Sequence, residues 1–244
     1  MKYINYYAIY IVCFLLCIGC SEPSNELIVG IAADAPPFAF INNKGEPDGF
    51  DIELIRMIGQ RMNKKVSFTV LDFNSIFPTL QTGKIDLAIS SISATQERKN
   101  RFDFSAPYLF DNIAAVYKKG SPYSSRESLH DAIIGVQKGS ALEAWSRLIR
   151  LSSIKSLAME NTKEIVQAID TNKVNILLVD ESEAQSLIKE NKTLGYFDVG
   201  TSHDGYAIAM KKNNEHEQRI NAIIEELQKE GILTQLSNKW LVHN

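Results

Sequence analysis

Cysteine is nearly absent from this chain: three occur in 244 residues, Cys13, Cys17 and Cys20, and none lies beyond the first twenty positions. From Ser21 onward there is accordingly no disulfide framework, no cysteine zinc site and no thiol nucleophile. Histidine is scarce as well. His130, His203, His216 and His243 are scattered and show no metal-ligand spacing, so neither a metal nor any other cofactor is expected. Basic runs are missing: 29 Asp and Glu residues outnumber 26 Lys and Arg, for a formal charge of −3. A nucleic-acid partner, whose backbone demands clustered Lys and Arg, is not expected. There is no low-complexity tract, and past residue 20 no apolar run reaches the length of about 20 residues that spans a bilayer. Nucleophile elbows and Gly-rich phosphate loops are also lacking.

The first twenty residues stand apart. Behind Lys2 runs an almost unbroken apolar stretch to Gly19, followed by Cys20 and then the polar SEPSNE. One basic residue, a short apolar run and a small-residue end describe a secretory signal; an uncleaved membrane anchor is the alternative, near the lower length limit of a spanning helix. Removal of Lys2 with this segment takes the formal charge from −3 to −4. Cys20 directly after Gly19 resembles the lipidation box of bacterial lipoproteins, although Cys17 occupies the place usually held by Leu, and Leu16 sits one step back. The expectation is a protein outside the cytoplasm, periplasmic or at the cell surface, tethered to the membrane through lipid on Cys20. Ordinary cleavage nearby gives a freely soluble product instead.

Beyond the signal, strand and helix alternate. ELIVGI (26–31) is a strand ending in a loop with Pro36 and Pro37. Asp48 is placed to cap a helix whose first turn holds Asp51, where acids suit the dipole, with Leu54, Ile55, Ile58 and Met62 forming one apolar stripe. VSFTVL (66–71) is a strand, 76–81 a short helix stopped by Gly83, and 85–89 a buried strand. The same order then recurs as a strand over 132–137, helices over 140–150 and 162–169, and a strand over 174–179. Such alternation argues for mostly parallel sheets covered on both faces. TGKIDLAISS (82–91) can be laid over TNKVNILLVD (171–180) without a gap, making Ser91 and Asp180 equivalent strand ends. The predicted class is α/β, in two similar lobes.

Ligands of open α/β sheets sit beyond the carboxyl ends of the strands, so two facing lobes bring these ends to one cleft. One side supplies Ser90, Ser91, Ser93 and Arg98; the other supplies Gly139, Ser140 and Ala141 at a helix start, and Asp180. Ser140 with Glu143 three residues on is a capping box, and amides at such a terminus attract anions. The set fits a zwitterion. Arg98, Ser91 and the Ser140–Ala141 amides suit a carboxylate, and Asp180 with Ser93 and a carbonyl suits an ammonium. Singly, each residue also has an ordinary structural account: a solvated Arg, a capping Asp, loop serines.

Several stretches together resemble the extracytoplasmic solute-binding proteins of polar amino-acid ABC transporters (family 3): GFDIELIRMI (49–58), IFPTLQTGKIDLAISSISATQER (76–98), FDFSAPY (102–108), GVQKGS (135–140) and the closing NKW (238–240). The resemblance implies a periplasmic-binding-protein type II fold, with 1–20 a signal, 21–25 a polar tether, 26–111 and 204–244 one lobe, and 112–203 the other. Crossings are expected near 111–114 and 201–205. It implies that Arg98 binds the ligand carboxylate, Asp180 its ammonium, that Ser91 and Ser93 bridge both, and that Phe73 packs on the side chain. Partners implied are a free amino acid and ABC permease subunits, the protein itself being a monomer. Many relatives carry an acid in the position of Ala32 and an aromatic in that of Ala35; the loss of both weakens a claim for arginine, lysine or glutamine. Asp34 close by either substitutes for the acid or faces solvent, so a roomier pocket is expected and its ligand stays open. Periplasmic dehydratases resembling this family make an enzyme the rival reading, with Glu181 as its candidate acid.

Overall fold

A computed structural model of the chain describes residues 25–148, 155–201 and 204–241. The signal, Cys20, His203, His243 and positions 149–150 of one expected helix lie outside the described residues.

The elements form two five-stranded sheets. The first is built on β1 (Glu26–Ile31), with β5 (Lys65–Val70) and β6 (Leu87–Ala88) parallel on either side; β13 (Ala209–Lys211) then pairs antiparallel with β6 and β7 (Phe102–Phe104). The second is centred on β9 (Ile133–Gln137), with β10 (Lys155–Met159) and β11 (Ile176–Asp180) parallel to it. β8 (Asn112–Lys118) pairs antiparallel with β11 and β12 (Leu194–Thr201). The strand orders correspond: second strand, first strand, third strand, then the antiparallel additions. Strands from early and late in the chain share the first sheet, and β8 and β12 run side by side with Asn112 opposite Thr201.

The likeness of 82–91 to 171–180 reaches individual hydrogen bonds. Leu87 and Ala88 lie opposite Val29 and Gly30; Ile176 and Leu177 lie opposite Ile134 and Gly135. The Asp86 amide donates to the Ile28 carbonyl and its carboxylate accepts the Ile28 amide, both at 2.8 Å. Asn175 repeats this with Ile133 at 2.8 and 2.7 Å. A repeated sequence thus encodes a repeated junction.

Alternation in the strands sends side chains to both faces. Val29 and Ile31 pack with α1 (Phe50–Arg61), α7 (Glu217–Lys229) and α8 (Ile232–Trp240), while Ala88 and Ile85 pack with Ile76 and Leu80 of α2 (Phe73–Thr82). In the second sheet Leu177 and Val179 face Ile165 of α5 (Thr162–Asp170), and Ile176 and Leu178 face Leu142 and Trp145 of α4 (Ala141–Leu148). Each sheet is buried on both faces, as the parallel arrangement requires.

One expectation about the α1 helix is corrected. Asp48 does not cap α1: it belongs to the short strand β4 (Pro47–Asp48), paired through β3 (Ala39–Ile41) to β2 (Asp34–Ala35), and the cap is Gly49 at φ 123°. A Cβ there would stand 2.4 Å from the Phe38 carbonyl oxygen, so only glycine fits. Asp51 stands in the first turn of α1 as expected; it is fully buried there, accepting the Ser91 amide at 2.6 Å and the Tyr108 hydroxyl at 2.8 Å.

Candidate functional site between the sheets

The carboxyl ends of β1, β6, β9 and β11 converge on one cavity of about 40 Å³, lined from the first sheet by Asp34, Ala35, Phe73, Ser90, Ser91, Ser93 and Arg98. From the second come Gln137, Ser140, Ala141, Leu142, Thr162, Leu178, Val179, Asp180 and Glu183. A wider groove of about 520 Å³ adjoins it, sharing Arg98 and Asp180 and lined also by Gly139. Of the residues expected to bind the ligand, Ala32 and Gly139 stay out of the inner cavity wall. The main-chain N–H and C=O of Ala32 are both tied to the buried Ser90 hydroxyl, at 3.2 and 3.1 Å.

Arg98 stands on the single turn α3 (Gln96–Lys99), whose cap Thr95 accepts the Arg98 amide at 3.3 Å. Its guanidinium donates to the Ser93 carbonyl at 2.8 Å and, across the cleft, to the Gly139 carbonyl at 2.9 Å. It also lies over the rings of Phe77 at 4.8 Å and Phe73 at 5.8 Å, a stacked placement that guanidinium favours. Burial lowers its pKa to about 10 against the opposing pull of Glu97 and Asp204, so it stays charged at neutral pH. No carboxylate neutralises it by a direct ion pair among the described residues.

Asp180 closes β11 and stands at the N-cap position of α6 (Glu181–Glu190), yet its side chain makes no capping hydrogen bond. Burial raises its pKa to about 7; Tyr206 draws it down, and Asp111 and Asp51 push it up. The buried Tyr206 hydroxyl approaches this carboxylate without reaching hydrogen-bond geometry. Across the cleft, Ser91 adopts φ 42°, a left-handed turn that directs its amide to Asp51. The capping box is present in modified form: Ser140 accepts the Glu143 amide at 3.1 Å, while Glu143 takes the Gly139 amide at 2.7 Å. The Ser140 amide is not available to an anion, being donated to the Gln137 carbonyl at 3.1 Å.

The sequence reading does not assign Gln137, Thr162, Glu183, Leu142, Leu178 or Val179 to the site and leaves Asp34 open, yet all seven line the cavity. Gln137 donates across the cleft to Asp34 at 2.8 Å. The other Asp34 oxygen is buried without a partner, and burial, ahead of nearby Asp72, raises the Asp34 pKa. Thr162 donates to Glu183 at 2.7 Å, and burial followed by the charge of Asp180 pushes Glu183 well above the usual carboxylate range. Glu181, the acid an enzyme reading would need, is instead bonded to Asn112 at 2.9 Å and Tyr196 at 3.4 Å, outside the cavity wall. Among the described residues no group of His, Cys, Asp and Glu is arranged to hold a metal ion.

The sequence pattern of the bacterial extracellular solute-binding proteins, family 3, matches residues 27–243. The chain is 29% identical over 219 residues to the L-cystine-binding protein TcyJ of Escherichia coli K12, covering 88% of this chain and 82% of the relative. Among solved structures it is similar to an ancestral arginine-binding protein, seen with arginine (35% identity, TM-score 0.83, 89% and 99% of the two chains). An ancestral arginine-binding protein bound to glutamine gives 34% identity and a TM-score of 0.84, covering 90% and 99% of the two chains. An ancestral amino acid-binding protein described as a precursor of cyclohexadienyl dehydratase is 29% identical, with a TM-score of 0.81, covering 89% and 96%.

Proposed function

The chain belongs to the bacterial extracellular solute-binding proteins, family 3, and from that premise we propose that it captures a free polar amino acid between its two sheets and delivers it to an ABC transporter permease. The observation that carries this reading is the pairing of Arg98 and Asp180, from opposite sheets, on the wall of one cavity. The guanidinium holds the ligand carboxylate, Asp180 holds the ammonium, and the Ser91 and Ser93 hydroxyls serve both. Phe73 packs on the ligand side chain. Relatives named for cystine, arginine, histidine and glutamine share the α-amino acid head group, the part these residues address.

The lobes, taken as 26–111 with 204–244 and as 112–203, open and close about the paired β8 and β12. Across the mouth, Arg98 to Gly139, Gln137 to Asp34 and Asn74 to Glu160 are bonds that opening breaks. A cavity of about 40 Å³ holds little more than a water, so a ligand enters the opened form. Upstream, residues 1–20 act as a secretory signal, and lipid on Cys20 tethers a monomeric protein to the outer face of the membrane. Capture at micromolar ligand corresponds to about −8 kcal/mol, within reach of two desolvated charge pairs.

A thermal-shift screen of the mature protein against the common amino acids tests this directly, since a ligand of the folded state raises Tm. Stabilisation by at least one amino acid, lost in Arg98→Ala, is the expected result. No response to any amino acid, with turnover of a cyclic acid, rejects it.

A further inference from the structure

Resting on the amino-acid-binding reading, we infer that the bound side chain is cationic and that Asp34 and Glu183, neither of which the head group needs, select it. The cavity wall carries three carboxyl groups, Asp34, Asp180 and Glu183, against one cation, Arg98. A zwitterionic head group adds one charge of each sign. Arg98 answers its carboxylate and Asp180 its ammonium, which leaves Asp34 and Glu183 without a positive partner.

The geometry shows where a cation belongs. Gln137 satisfies one Asp34 oxygen, and the other is buried with no donor in reach. A buried acceptor left unmatched is costly, and a ligand N–H⁺ beside it removes that cost. Glu183 is only 6% exposed and accepts one hydroxyl, from Thr162. The same wall also carries Ala35, Leu142, Leu178 and Val179, apolar surface suited to the methylene stem of a long basic side chain. An anionic side chain meets repulsion here. An aliphatic one leaves the Asp34 oxygen bare. Burial raises the pKa of both acids, a desolvation cost that a cation beside them offsets.

Calorimetry on the full mature chain decides it with L-arginine, L-lysine, L-glutamine and L-citrulline, the last an uncharged isostere of arginine. The expected result is arginine or lysine bound about 100-fold more tightly than citrulline, the scale of a desolvated charge pair. In Asp34→Asn the arginine-to-citrulline ratio should fall at least about tenfold. The wild-type series alone is decisive, so a variant that fails to fold does not shelter the inference. Citrulline or glutamine bound as tightly as arginine overturns the cationic assignment and leaves amino-acid capture standing. Failure of every amino acid to bind overturns both.

Discussion

The ends of β6 and β11 are two versions of one junction that part at a single residue. Up to Ala88 and Leu177 they share register, glycine partner and reciprocal side-chain bond. Beyond that, Ser91 turns to φ 42° and gives its amide to a buried carboxylate, Asp51. Asp180 keeps extended geometry, φ −68° and ψ 147°, and leads straight into α6. The first lobe thus ends in a loop that reaches a separate turn bearing a cation; the second ends in an anion held at a helix start. A common framework with divergent tips yields opposite charges facing one cleft.

The largest expected effect probes the acid beneath the first tip. Burial raises Asp51 from 3.8 to about 7, so the folded state holds its proton more tightly than the unfolded chain. The stabilisation is complete below pH about 4, falls as pH rises to about 7, and levels off above; the difference amounts to about 4 kcal/mol. Denaturant titrations of wild type and Asp51→Asn across pH 4–8 should diverge in that direction. Parallel pH profiles would mean that Asp51 does not carry a buried, raised carboxyl beneath the first tip.

Next come the charges themselves. Arg98→Ala should weaken ligand binding by about 1.5–3 kcal/mol, the range of charged hydrogen bonds, and Asp180→Asn by a similar amount. They differ in pH response. Because Asp180 titrates near 7, wild-type affinity should rise toward tenfold per pH unit between pH 5 and 7, as an ionised partner for the ammonium becomes available. Arg98→Ala retains that slope and Asp180→Asn flattens it. Calorimetry at four pH values separates the two.

The repeated junctions are legible in the sequence because a buried strand flanked by a turn carries its own pattern; the likeness of 82–91 to 171–180 needs no distant residue. Arg98 and Asp180 are legible as charges at strand ends for the same reason. Asp51 is not. An acid in the first turn of a helix looks solvated, and the Ser91 and Tyr108 groups that bury it lie 40 and 57 positions away. Asp34 with Gln137, and Glu183 with Thr162, are likewise joined only by folding, 103 and 21 positions apart. β2 and β4, two residues each, are too short for alternation to mark them.

A third contrast lies under the junctions. A Cβ on Gly30 would stand 2.4 Å from Cδ1 of Ile85, the swinging end of its side chain. On Gly135 it would meet Cγ2 of Ile165 at 2.3 Å and Cγ1 of Val174 at 3.0 Å, branch atoms fixed by χ1. Gly135→Ala should therefore destabilise by about 2–3 kcal/mol and Gly30→Ala by about 1 kcal/mol, measured by urea unfolding.

The smallest effect tests the likeness most finely. Asp86 and Asn175 each tie down the amide of a neighbouring strand, on Ile28 and Ile133. The bond at Ile28 is exposed, whereas that at Ile133 is partly buried. Water can replace the lost acceptor in Asp86→Ala, so about 0.5 kcal/mol is expected. In Asn175→Ala the Ile133 amide is left poorly hydrated, and about 1–1.5 kcal/mol is expected. Hydrogen exchange at these two amides reads each lobe separately and sidesteps any independent unfolding of the two sheets. A larger acceleration over wild type at Ile133 in its variant than at Ile28 in the other upholds the ranking. The reverse order would mean that the negative charge of Asp86, rather than burial, sets the strength of the shared bond.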